Sequence, residues 1–244
     1  MKWYGGMLFK KCFGFCLGQS FGYFRGEVIL MVLLYSLLSG RCQAQDQWKN
    51  IYSQRAWQER DQWQRAEELI GHLNVRAGNI VADVGSHEGY MTLKLATAVG
   101  TRGKVYAVDV DQDKLDKLQK NLNASHVTQV LPTKGQYDNP NLPVGVDAVL
   151  ILDAYHEMDA YKAMLGHIKR SLKVGGRLVI CEPIADARRK ADRKEQKRKH
   201  ELGIAYALDD LLEAGFHIVL QQDPYIDREA VKGDKMWIIV AEKR

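Results

Sequence analysis

Five short runs rich in valine, isoleucine and leucine constrain this chain more than any other feature: Val81–Val84, Val105–Val110, Val127–Pro132, Val146–Leu152 and Leu178–Cys181. None shows the in–out alternation of a strand with one wet face, so each is expected to be covered on both sides. A loop or helical stretch follows each of the first four. In "QDKLDKLQKNL", Leu115, Leu118 and Leu122 recur at helical spacing. After Asp159, Met164, Leu165, Ile168 and Leu172 do the same, with Gly175 and Gly176 as the expected terminator. This alternation predicts an α/β fold, a doubly wound and mostly parallel sheet with helices on both faces. The end of the chain breaks the pattern. "HIVLQQD" and "KMWIIVAEK" read as strands joined by "PYIDREAVKGD", which carries no helix signal, so an antiparallel pair is expected to close the sheet.

With 244 residues the chain has room for one such domain and some extra sequence. The extra lies at the start. Lys2, Lys10, Lys11 and Arg25 precede any acidic residue, and Val28–Leu38 is an almost wholly apolar run. Its length suits a signal-peptide core of ~7–15 residues and falls short of the ~20 that span a membrane. Cys42-Gln43-Ala44 resembles a cleavage site. Residues 1–45 are therefore read as a signal peptide or hydrophobic leader, and the protein as exported, periplasmic or extracytoplasmic. A start assigned too early would leave it cytoplasmic. Residues 46–244 are read as a single domain, with 46–75 a helical cover and 76–244 the core. Membrane contact is expected through the leader alone, and the oligomeric state is left open.

Charge and cysteine content exclude several classes. The net charge is +5, but "RRKADRKEQKRK" (Arg188–Lys199) alone carries +6, which leaves the rest near neutrality. A nucleic-acid-binding face would be basic more widely, so no such partner is expected. The run is read as a solvated helix face or mobile cover. Of four cysteines, Cys12, Cys16 and Cys42 fall in the leader and Cys181 in an apolar strand. No disulfide within the domain is possible, and Cys181 is expected to be buried and inert.

The chemistry lies in "VADVGSHEGY". A strand, a glycine-bearing turn and a helix start allow a ligand close to the backbone. Here Gly85 and Gly89 flank Ser86, His87 and Glu88, giving G-x-x-x-G and not the dinucleotide pattern G-x-G-x-x-G. Asp83 would repel a pyrophosphate but suits a ligand with an ammonium or sulfonium. Asp109 ends the next strand and is placed to accept hydrogen bonds from ribose hydroxyls. Together the two carboxylates imply a nucleoside with a cationic neighbour.

Asp83-x-Gly85-x-x-x-Gly89, Asp109, "VDAVLILDAYHEM" and the closing "LLEAGFHIVLQQD" and "KMWIIVAEK" resemble a class I S-adenosylmethionine-dependent methyltransferase of the small-molecule type. The resemblance covers about residues 65–244. It implies a Rossmann-like sheet of seven strands, S-adenosyl-L-methionine as cofactor, and a small or lipid-like acceptor. Asp83, Gly85, His87 and Gly89 would hold the methionine part and Asp109, with Val110, the ribose. Family members often meet the adenine amino group with an acid after the third strand. This chain has Gln136 and Tyr137 there, with Asp138 as a rival. Asp153 would line the cofactor pocket.

"LDAYHEM" follows the fourth strand, where an open α/β sheet forms its ligand crevice. Asp153, Tyr155, His156 and Glu157 should therefore face it. His156, with an ordinary pKa near ~6.5, is the candidate general base, and Glu157 its orienting partner. No metal is expected, because Asp153 shows no second strand-end oxygen ligand. Tyr52, Arg55 or Trp57 of the cover could touch the cofactor carboxylate or the acceptor. Two rival readings remain: an exported nucleoside-binding module with little catalysis, and a nicotinamide-dependent oxidoreductase, which the missing G-x-G-x-x-G and Asp83 disfavour.

Overall fold

The computed structural model describes residues 54–244. The leader, its expected cleavage site and Tyr52 lie outside the described residues. Two helices open this part, α1 (Gln54–Asp61) and α2 (Ala66–His72). The sheet and its connections follow as β1 (Ile80–Val84), α3 (Tyr90–Val99), β2 (Lys104–Asp109), α4 (Gln112–Ala124), β3 (Val130–Lys134) and β4 (Val146–Leu152). A 3-10 turn at Tyr155–Glu157 leads to α5 (Tyr161–Ser171) and β5 (Leu172–Ile184). Then come α6 (Arg193–Arg198), α7 (Ile204–Glu213), β6 (His217–Asp227), α8 (Glu229–Lys232) and β7 (Lys235–Glu242).

The seven strands lie in the order β3-β2-β1-β4-β5-β7-β6. β1 pairs in parallel with β2 and β4, β2 with β3, and β4 with β5. β7 runs antiparallel to both β5 and β6. The fold is thus the expected Rossmann-like α/β sheet, mostly parallel and closed by an antiparallel pair. Strand order reverses at β1 and β4, whose carboxyl ends open a crevice for a ligand.

Alternating side chains sort the core into two layers. Val81, Leu150, Val179 and Ile238 pack against α2, α3 and α4 through Leu69, Leu95 and Leu118. Ala82, Ile151, Ile180 and Trp237 pack on the other face against α5 and α7 through Leu165, Ile168 and Leu211. Burial is nearly continuous along β4, along β5 from Leu178 onward and along β7, whereas β6 at the sheet edge is largely exposed. Among the described residues no helix is long and apolar enough to cross a membrane.

The structure corrects four local expectations. β3 starts at Val130 and not Val127, because the Val127 amide donates to Leu122 O at 3.1 Å and belongs to the end of α4. Gly175 and Gly176 do not terminate a helix. α5 ends at Ser171, Leu172 is already extended and opposite Val146, and the glycines form an irregularity before Arg177 meets Ala148. The supposed loop between the last strands is also shorter: β6 continues to Asp227 and α8 fills most of the remainder.

The fourth correction concerns the basic run. It is neither fully solvated nor a loose cover, since four of its side chains reach partners from other segments. Arg188 is fixed to Glu201, Arg189 reaches Asp223 at 2.6 Å, Arg193 reaches Asp210 at 2.7 Å and Lys197 reaches Asp159 at 2.5 Å. Arg193 also stacks over Tyr161, with its guanidinium carbon 3.8 Å from the ring centroid. Buried Gln196 ties the turn together by donating to Arg188 O and accepting from the Gly203 amide.

Candidate active site

The crevice above β1 and β4 holds a pocket lined by Arg60, Asp83, Gly85, Ser86, His87, Glu88, Tyr90, Met91, Leu152 and Asp153. Its floor is the turn after β1. Gly85 has φ +84° and Gly89 φ +99°, the left-handed region where a β-carbon is strained. A β-carbon on Gly85 would stand 2.4 Å from Ala154 Cβ, and one on Gly89 2.4 Å from Leu118 Cδ1. Both glycines are therefore demanded by the turn and by neighbouring protein atoms, a stricter reason than close approach of a ligand. His87 between them also has positive φ, +50°. Its ring lies against the Lys114 ammonium, and its pKa is pushed down to about 3 by burial and by Lys114, Lys117 and Arg60. It lines the pocket as a neutral imidazole.

Asp83 sits under this turn, almost wholly buried at 3% exposure. Thr92 Oγ1 donates to it at 2.6 Å. Burial raises its pKa to about 6, against the smaller lowering effect of Thr92. A carboxylate this deep needs a cationic or hydrogen-bonding partner to hold its charge. Asp109 is held by its own loop: the His87 and Asp111 amides donate to its two oxygens at 2.9 Å each. An ionised carboxylate offers about four acceptor sites, so lone pairs remain for a diol. Val110, Gln136 and Tyr137 do not line the pocket. Val110 and Gln136 are exposed, and Tyr137 is exposed by 80%.

Arg60 of α1 completes the pocket on the cover side, where the sequence pointed to Arg55 or Trp57. It lies 4.3 Å from the Tyr90 ring centroid and donates to Gln64 Oε1 at 2.8 Å. Arg55 is 88% exposed and pairs with Glu59. Five residues along an α-helix turn the side chain by about 140°, which separates the two arginines. Trp57 meets Tyr90 edge-on, with ring centroids 6.1 Å apart.

Beyond β4 the residues of "LDAYHEM" diverge. Tyr155 is fully buried in the opposite core layer and donates to Asp210 Oδ2 at 2.9 Å. It does not face the crevice, because the 3-10 turn sends it back under the sheet; burial and Asp210 push its pKa up. Asp153 keeps to the pocket, with φ +56° and an ion pair to Arg228 at 3.3 Å. His156 is buried, its Nδ1 2.6 Å from Glu182 Oε2 and its Nε2 3.2 Å from Glu157 Oε1. Burial pulls its pKa down, but Glu182, Glu157 and Asp153 outweigh that and push it up to about 10. This corrects the expectation of a free base. The surrounding carboxylates keep His156 cationic near neutral pH, so its proton-accepting site is already filled. Hydrogen bonding to His156 comes first among the causes that hold Glu157 down at about 2.

Sequence reasoning missed Glu182, Arg228 and His200. Glu182, fully buried at the end of β5, accepts from the amides of Ala154, Tyr155 and His156 at 2.6, 2.8 and 3.2 Å. It is the strand-end acid that Asp153 was thought to lack, since the two offer oxygens within 4.8 Å of each other and of a His156 nitrogen. A lone acid in the apolar run "LVICEPI" was the available signal. Arg228 and His200 carried none, lying 75 and 44 positions beyond Asp153 and His156.

Residues 81–176 match the model of the family described as a methyltransferase domain. A ubiquinone/menaquinone biosynthesis C-methyltransferase from Ectopseudomonas mendocina is 33% identical over 127 residues, 49% of this chain and 47% of the relative. A probable cobalt-precorrin-6B C(15)-methyltransferase from Sulfurisphaera tokodaii is 29% identical over 100 residues, 40% of this chain and 50% of the relative. The chain spans about half the length of these curated relatives. Among solved structures, a methyltransferase from Aquifex aeolicus superposes with TM-score 0.63 at 20% identity, over 74% of this chain and 90% of that one. A geranyl diphosphate C-methyltransferase from Streptomyces coelicolor reaches 0.62 at 15% identity, over 74% and 80%. At these identities the superpositions speak for the fold alone.

Proposed function

We propose that the protein transfers a methyl group from S-adenosylmethionine to a small-molecule or lipid-like acceptor. The observation that carries the reading is the pairing of buried Asp83 with strand-end Asp109 across one glycine turn. The pocket fits such a cofactor on its own terms. Asp83 is buried with a raised pKa and would be relieved by an ammonium. Buried Ser86 Oγ also has no hydrogen-bond partner among the described residues. Asp83 would take the amino group of the methionine part, Arg60 its carboxylate, and Asp109 the ribose diol. The sulfonium supplies an already activated methyl group, so the protein's share is positioning and exclusion of water. Asp153 lines the pocket at its β4 end, where an acceptor would approach. The named relatives, a ubiquinone/menaquinone biosynthesis C-methyltransferase and a probable cobalt-precorrin-6B C(15)-methyltransferase, are in keeping with a small-molecule or lipid-like acceptor.

Calorimetry with S-adenosylmethionine, S-adenosylhomocysteine and NAD tests the cofactor reading. Binding of both sulfur ligands and not of NAD is the expected result; no binding of either sulfur ligand would sink it. A screen of metabolite extracts with methyl-labelled cofactor then identifies the acceptor.

A further inference from the structure

The "YHE" turn after β4 and the residue that follows the basic run meet at one point. His156 Nε2 lies 3.2 Å from Glu157 Oε1, and the same oxygen lies 2.5 Å from His200 Nδ1. The three donor atoms fall within 4.8 Å of one another. The imidazoles meet edge to face, with ring centroids 5.7 Å apart and planes at 84°. We propose that His156, Glu157 and His200 bind one divalent transition-metal ion of the zinc type.

Three features favour these residues over the neighbouring Asp153–His156–Glu182 group. Glu182 already accepts from three backbone amides and from the His156 Nδ1 side. Asp153 is engaged with Arg228. The carboxylate on Nδ1 fixes the ring so that Nε2 faces Glu157 and His200, the arrangement found behind most metal-binding histidines, and the ion would displace the proton that Nε2 carries when no metal is bound.

The spacing also suits an ion. Two donors ~2.0–2.1 Å from a tetrahedral zinc stand about 3.3 Å apart. The His156–Glu157 separation meets this value. The Glu157–His200 separation reaches it if two side chains, each 59% exposed, open slightly. Two imidazoles and one carboxylate suit zinc, iron, cobalt or nickel better than magnesium or calcium. Among the described residues three protein ligands converge, and two of them are exposed. The ion would thus keep positions for water or for an oxygen of the acceptor, as in catalytic zinc sites. The proposed role rests on the methyl-transfer reading; the binding itself does not. At the β4 end of the crevice the ion would hold an acceptor through a hydroxyl, phenol or carbonyl oxygen.

The test uses the full chain, stripped by chelator, titrated with Zn²⁺ by calorimetry and with Co²⁺ by visible absorption. One ion per chain is expected, with cobalt bands of four- or five-coordinate geometry. H200A and E157Q should each weaken zinc at least ~100-fold, whereas E182Q, checked for folding by circular dichroism, should weaken it ~10–100-fold. The exposed H126A is the control and should change nothing. Absence of one-to-one zinc binding in the wild type overturns the proposal and leaves a hydrogen-bonded His–Glu–His chain. Wild-type zinc affinity in H200A overturns it as well. S-adenosylhomocysteine binding is measured on the same samples. Loss of zinc alone sinks the metal site, and loss of the nucleoside alone sinks the methyl-transfer reading.

Discussion

The two ends of the crevice are built differently. The end around β1 is local: Asp83, Gly85, His87, Gly89 and Asp109 lie within 27 residues, and backbone geometry does most of the positioning. The end around β4 is assembled from Asp153, His156 and Glu157, from Glu182 on β5, from His200 after α6 and from Arg228 after β6. Its side chains hold one another by charge. A local turn tolerates an unusual residue such as His87 because its glycines and its hydrogen bonds to β2 keep the backbone in place. A long-range charge cluster has no such backbone guarantee, so each member depends on the others.

That difference predicts a hierarchy of mutational effects. The largest should come from E182Q, which removes one of two carboxylate oxygens shared by three amides and an imidazolium in a fully buried position. A loss of about 3 kcal/mol in urea denaturation is expected; a loss under about 1 kcal/mol would show that the cluster does not hold itself together.

Asp83→Asn should act in the opposite sense on stability. The folded-state pKa of Asp83 is raised to about 6, so the folded protein binds this proton more tightly than the unfolded chain does. Its contribution therefore favours folding at low pH, declines as pH rises from about 4 to about 6, and is flat above. D83N should remove that slope in thermal unfolding from pH 4 to 8 while weakening nucleoside binding roughly 10- to 100-fold by calorimetry. In the wild type, affinity for the cationic cofactor should fall as pH drops below about 6. An unchanged affinity for D83N would break the comparison at its local end.

Smaller effects sharpen it. R60A should weaken the cofactor about tenfold, the value of one charge-assisted contact, without loss of the fold, since α1 remains anchored through Trp57 against Tyr90. His87→Gly should shift stability by no more than about 1 kcal/mol, because relief of the left-handed backbone offsets the packing lost against Lys114. A larger loss would mean that the ring, and not the two glycines, holds the turn.

How much was legible follows the same divide. The β1 turn and Asp109 could be read directly, because conformation there depends on neighbours a few residues away. Arg60 was misplaced onto Arg55 because a helix's phase against the core is fixed only by packing. Tyr155, adjacent to Ala154 and His156 in sequence, parted from the crevice because a 3-10 turn reverses its side. The basic insert looked solvated because its acids, Asp159, Glu201, Asp210 and Asp223, lie elsewhere in the chain.

The sequence by itself determined the sheet, its closing pair and the cofactor-side turn, since hydrophobic periodicity and glycine spacing act over short range. Tertiary structure alone decided the β4 end. It brought Glu182 and His200 to His156, and so turned a histidine with an ordinary reference pKa into a buried, carboxylate-bound cation. No local pattern encodes that change, because it depends on the burial and charge supplied by β5 and the insert after it.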